Sequence, residues 1–216
     1  MDNQSAYDEL KDNFLIATVW SGFHTPEEVL ADALEGLADG VFSDEPIEVV
    51  DEDLVRRLVE EEFARKRKAE QTWPQQTTCD RLTQAFESLT ARGILSLENA
   101  GYSMSDGWAE WDKAINTEWA PVGALSALRG GCFYHGQDLE RAVLGGGLCV
   151  AFTAKSGVDN DGIPIAQEVI EALRAHGFQP EWNGKPNARI CFPIDWQRRY
   201  GPPASPAPAI PARQTQ

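Results

Sequence analysis

The sequence predicts an α+β fold: a helical, acidic N-terminal region, then a small mixed sheet with helices on one face in the ferredoxin-like style, and a disordered, proline-rich C-terminal tail. Up to residue 72 the apolar residues recur at helical spacing alone, and beyond Trp73-Pro74 helical stretches alternate with short apolar strands. Charge is divided just as sharply. The 216-residue chain carries a formal net charge of −15, and residues 1 to 62 hold 18 acids against three bases, Lys11, Arg56 and Arg57; the remainder has 16 of each sign, so the whole excess lies in front. Residues 201 to 216 contain five of the 13 prolines, set among alanine, serine and glutamine, with almost nothing to bury. The expected organisation is an acidic helical region over 1–72, an α+β domain over 73–200 and the tail over 201–216.

Tyr7, Leu10, Phe14 and Leu15 suggest a first amphipathic turn or helix. In Thr25-Pro26-Glu27-Glu28 a cap, a proline at the first helical position and a capping-box glutamate open the next helix. Val29, Leu30, Ala33, Leu34 and Leu37 then share one face, and Gly40 can stop it. A second acidic helix runs from about Asp53 to Glu70, with Leu54, Val55, Leu58, Val59 and Phe63 apolar. Its basic run Arg65-Lys66-Arg67-Lys68 suits a helix C-terminus, where positive charge is favoured. Cys79 to Arg92 follows as a helix, then a strand from Ile94 to Leu97, a turn at Asn99-Ala100-Gly101, and a shorter helix with Trp108, Trp111 and Ile115 on one side. With Trp119, these tryptophans suit a core wall or lid. Further on come a strand at Cys132–His135, a helix at Gln137–Leu144, a strand at Leu148–Thr153 and a helix at Ile163–His176. Two last strands, Phe178–Trp182 and Ala188–Phe192, flank the turn residues Asn183-Gly184.

Composition narrows the partners. An acidic surface repels phosphate backbones and anionic bilayers, so neither nucleic acid nor membrane is an expected ligand, and a basic protein is. No run of 18 apolar residues occurs, and no basic segment followed by an apolar stretch lies near Met1. Cys79, Cys132, Cys149 and Cys191 form neither a C-x-x-C pair nor zinc-site spacing, and three lie in apolar strands. They are expected to be buried thiols of a cytoplasmic protein.

The densest polar segment is Tyr134-His135-Gly136-Gln137-Asp138-Leu139-Glu140-Arg141, at a strand-to-helix junction where ligand and catalytic groups are often placed. His135 could serve as a base oriented by Asp138, with Tyr134 and Arg141 as further candidates. Asp138 is equally placed to cap its own helix. Gly145-Gly146-Gly147 follows a helix and precedes a strand, the reverse of a phosphate loop, and so reads as a helix stop. Lys155 to Gly162 has too few acids for a calcium loop and lacks its closing glutamate, leaving Asp161 as a possible cap. His24 and His176 flank helix ends. No serine-nucleophile or dinucleotide motif is present, and no cofactor or metal is expected.

The strings Cys79-Asp80-Arg81-Leu82, Asn99-Ala100-Gly101-Tyr102 with Ser105-Asp106-Gly107, Tyr134-His135-Gly136-Gln137-Asp138 and Asp195-Trp196-Gln197-Arg198 resemble a bacterial family of unknown function over about residues 73–200. That resemblance implies no activity. From Leu148 to Phe192 the layout is also similar to the regulator of ribonuclease activity B, which would imply an acidic inhibitor. Localised acidity and an incomplete catalytic set together point to a non-enzymatic cytoplasmic binding or regulatory protein, an inhibitor or immunity protein for a basic partner, with Glu60, Glu61 and Glu62 on its docking face. The alternative is a small hydrolase or transferase centred on His135.

Overall fold

The computed structural model describes residues 4–43, 45–118 and 127–200. Trp119 and the tail from 201 onward, both given roles above, lie outside the described residues. The chain divides into two compact units, one of residues 4–77 with 196–200 and one of residues 78–195.

In the first unit, α1 (Gln4–Glu9), a π-helical turn (Leu10–Leu15) and α2 (Ile16–Ser21) run on into one another. Helices α3 (Pro26–Ala38) and α4 (Glu52–Glu70) follow. The capping box forms as the sequence predicts: the Thr25 hydroxyl accepts the Glu28 N–H at 3.1 Å, and Glu28 accepts the Thr25 N–H at 2.8 Å. Gly40, at φ +74°, ends α3 with a turn that only glycine adopts readily. Leu10, Leu15, Val29, Leu37, Val55 and Phe63 meet in one core, so the helices are held by burial of their apolar stripes.

Helix α4 departs from expectation at two positions. Its buried face is Val55, Val59, Glu62, Phe63 and Lys66, so Glu62 is a core residue and is not on the exposed acidic face where it was expected beside Glu60 and Glu61. Its carboxylate accepts the Trp20 indole N–H at 2.5 Å and an Arg65 N–H at 2.6 Å. Lys66, only 1% exposed, lies 3.6 Å from Glu70, leaving Arg67 and Lys68 as the exposed bases of the last turn.

The second unit opens with α5 (Thr78–Thr90), followed by β1 (Ile94–Leu97), α6 (Met104–Lys113) with a π-helical turn (Ala114–Glu118), β2 (Gly130–Phe133), α7 (Gly136–Val143), β3 (Leu148–Ala154), a 3₁₀ turn (Asp159–Asp161), α8 (Gly162–Ala175) and β4 (Ile190–Phe192). The sheet order is β1-β2-β3-β4, with β1 parallel to β2 and the other pairs antiparallel. The fold is α+β. Helices cover both faces of the sheet, more than the single face expected. A Cβ on Gly130 would meet Ile165 of α8, whereas one on its neighbour Gly131 would collide with Trp111 of α6, and adjacent strand residues point to opposite faces. Trp111 is buried and donates to the Leu95 carbonyl at 3.3 Å, and Trp108 stands edge-on to Phe133, so these two tryptophans are core wall.

Phe178–Trp182 does not form the expected strand. The Phe178 N–H is spent on the α8 carbonyl of Leu173 at 3.0 Å, Pro180 has none, and pairing survives only as a bridge between Glu181 and Cys191. Each strand is therefore separated from the next by a helix, unlike the βαββαβ order of the ferredoxin-like style. Asp161 does not cap α8; its carboxylate accepts the Ser156 hydroxyl at 2.8 Å. Gly145, at φ +84°, stops α7 as the sequence indicates.

The cysteines bring the largest correction. Cys149 and Cys191 sit directly opposite each other in the β3–β4 pair, with Cα atoms 4.0 Å apart, and are joined as a disulfide. Sequence separation of 42 residues hid this pairing, which the antiparallel register creates. Cys79 and Cys132 stay buried outside it, and burial pushes the Cys132 thiol up to about 12. The expectation of four thiols fails, and with it the cysteine argument for a reducing compartment.

Candidate functional site

Tyr134 and His135 carry the chain from the end of β2 into α7. Tyr134 is fully buried, its ring centroid 6.0 Å from that of Phe86, so its place is in the core. His135 is the N-cap residue, and its ring nitrogen Nδ1 accepts the Asp138 N–H at 3.3 Å. Capping therefore falls to the histidine, and Asp138 does not cap through its carboxylate as the sequence suggested.

Released from that role, the buried Asp138 carboxylate becomes the hub of an ion cluster. Arg189 Nη1 donates to its two oxygens at 2.8 and 2.7 Å, and Arg141 Nη2 to one of them at 3.1 Å. His135 Nε2 lies 3.1 Å from the other oxygen. With Nδ1 accepting from the helix, a proton on Nε2 points at Asp138, and Arg189 Nη1 lies 3.3 Å from the same nitrogen. Burial pushes the His135 pKa below its ordinary value; Asp138 and, more weakly, Asp106 oppose this, while Arg189 and Arg141 add to it. The lowered pKa favours the neutral ring at pH 7.

Met104, His135, Gln137, Asp138, Arg141 and Arg189 line an open cleft of about 420 Å³. A general base must turn a lone pair toward its substrate. Here both ring nitrogens are already engaged, Nδ1 by the Asp138 N–H and Nε2 by the Asp138 carboxylate and Arg189 Nη1. What the cleft does present is guanidinium: the Arg189 and Arg141 side chains are 36% and 41% exposed.

Of the site residues expected from the sequence, the structure brings His135, Asp138 and Arg141 together and keeps Tyr134 apart. Arg189 was missed. It sits immediately before β4, 51 residues from Asp138, and no local spacing marks it. In the first unit Glu60 and Glu61 are exposed, and so is every other described acid from Asp8 onward in the front, Glu62 excepted. Among the described residues no group of three or more His, Cys, Asp or Glu could hold a metal ion, and no described helix is long and apolar enough to cross a membrane.

Residues 4–200 match the model of a family described as a domain of unknown function (DUF6891), a span that takes in both units and exceeds the 73–200 suggested by the motifs. No curated protein and no solved structure matches the chain.

Proposed function

The chain belongs to the DUF6891 family, and from that premise we propose that it is a binding or regulatory protein without catalytic activity, of the inhibitor or immunity type, which engages a basic protein through the acidic helices of its first unit. One observation carries the reading: the described acids from Asp8 to Glu61 all face solvent while the apolar sides of the same helices are buried in the unit's own core. The acids are thus held on a rigid frame at no cost to the core. Exposed like charges at this density raise encounter rates with a basic surface and penalise acidic competitors. Glu60 and Glu61 of α4 belong to this face; Glu62 does not. The disulfide removes the cysteine argument for the cytoplasm, and the proposal does not depend on the compartment.

Salt and charge reversal test it. The chain is used as bait at low and at moderate ionic strength, and captured proteins are identified by mass spectrometry and then followed by association kinetics. Exposed charges are screened over about 8 Å at physiological ionic strength, so capture of a basic protein is expected to fall with salt. Association should slow in the Glu60→Lys/Glu61→Lys variant, with its fold intact. Equal capture by the variant, together with salt-independent association of the wild type, would sink the proposal.

A further inference from the structure

We propose that the cleft of the second unit is a binding site for small monocarboxylic acids, with Arg189 and Arg141 receiving the carboxylate. The two arginines and Asp138 give the cleft lining one surplus positive charge, and burial disfavours a further charge on His135, on a protein of formal net charge −15. Nearby acids do not cancel it from inside the cleft. Asp106 is held by the Ser103 N–H at 2.9 Å and hydroxyl at 2.7 Å, Glu140 accepts the Tyr102 hydroxyl at 3.2 Å, and neither carboxylate lines the cavity.

The cluster is also short of acceptors. Each guanidinium carries five N–H donors, whereas the two oxygens of Asp138 already serve Arg189, Arg141 and His135. Arg141 Nε is buried with no hydrogen-bond partner among the described residues. Asp138 fixes the guanidinium heads through Arg141 Nη2 and Arg189 Nη1, and both side chains stay partly exposed where they line the cleft, which is the preorganisation that anion recognition needs.

Backbone amides do not contribute. The Gly136 and Gln137 N–H groups at the start of α7 are spent on the Gly101 and Tyr102 carbonyls at 2.8 and 3.1 Å, so the helix end is not the anion site. A carboxylate matches the planar fork with two coplanar oxygens, and its single charge matches the single surplus. A phosphate dianion would leave excess negative charge beside the buried Asp138. Met104 supplies an apolar wall for a short hydrocarbon body and Gln137 an amide at the mouth. The cleft is open to solvent and, at about 420 Å³, has room for a small organic acid.

The test is titration of the full chain with sodium butyrate, followed by ¹H–¹⁵N spectra that include the arginine Nε–H signals, with sodium chloride and inorganic phosphate at matched ionic strength. Saturable shifts at Gln137, Arg141 and Arg189 are expected, with a dissociation constant on the order of millimolar for so few atoms and weaker binding of phosphate. Arg189→Gln should weaken butyrate by about tenfold or more, the scale of one lost charged contact. If that variant fails to fold because Asp138 loses its main partner, Gln137→Glu, an exposed change at the mouth, should weaken butyrate by about tenfold through repulsion alone. Absence of saturable shifts, the same shifts with chloride, tighter binding of phosphate, or unchanged affinity in Gln137→Glu would each overturn the assignment.

Discussion

Asp138→Asn keeps the shape of the cluster's central residue and removes its charge. Three donors now end on that carboxylate, and a hydrogen bond to a charged group contributes about 1.5–3 kcal/mol. Removing one partner of a buried pair costs about 3–5 kcal/mol when the others are stranded. Stranding is incomplete here, because the Arg189 and Arg141 side chains are 36% and 41% exposed and can turn to water, which discounts their share. His135 is buried with its pKa lowered by that burial, which favours a ring that loses an acceptor without leaving a bare charge. The low end applies, about 3 kcal/mol. For a unit of this size, that lowers Tm by roughly 12 °C. Urea and thermal unfolding followed by circular dichroism measure it, with separate transitions for the two units if they resolve. Arg141→Gln, which deletes a single 3.1 Å bond from a half-exposed side chain, should cost only about 0.5–1 kcal/mol. A loss below about 1 kcal/mol in Asp138→Asn would show that the carboxylate does not organise the unit.

Other expected outcomes follow from the same geometry. Glu62→Gln should destabilise the first unit by about 1–2 kcal/mol, whereas Glu60→Gln and Glu61→Gln should stay within about 0.5 kcal/mol; equal effects in urea unfolding would return Glu62 to the surface. Thiol titration in denaturant should find two reactive groups per chain without reductant and four with it, given the Cys149–Cys191 bond, and four in both cases would refute the bond. Closing 42 residues should stabilise the second unit by about 4 kcal/mol on the chain-entropy account, read as the loss in a Cys149→Ser/Cys191→Ser variant. His135 has a folded pKa below its unfolded value of 6.5, so the unfolded state binds the extra proton. Its contribution is thus fully present above about pH 6.5 and is lost as pH falls toward the folded pKa. His135→Asn, which can still cap, should flatten that part of the Tm profile between pH 7.5 and 5, and an unchanged slope would count against the buried neutral ring.

Helix boundaries were legible because their chemistry is local. The Thr25-Pro26-Glu28 box and the Gly145 stop act within a few residues, and the switch from helical to mixed periodicity located the sheet. Pairings across 42 residues for Cys149–Cys191 and 51 for Asp138–Arg189 were not legible, since register alone brings those residues together. Glu62 is a different kind of miss. Val55, Val59, Glu62, Phe63 and Lys66 follow the i, i+4, i+7, i+8, i+11 spacing of one helix face, so the pattern held the answer. Charge led the reading away from it. His135 was singled out as chemistry-bearing, yet its ring caps a helix, a role that composition cannot distinguish from catalysis.

Strand β4 shows what the cross-links do for the whole molecule. Only three residues long, it pairs with β3 along one side and meets the single Glu181–Cys191 bridge on the other. Two ties anchor it: the disulfide within it and the Arg189–Asp138 pair at its start. Loss of β4 from the sheet would leave β3 as its margin, with unpaired N–H and C=O groups of an apolar strand turned outward. That is a template for a strand from another chain. The cluster around Asp138 and the cysteine pair thus both bear on how securely β4 covers the margin of β3.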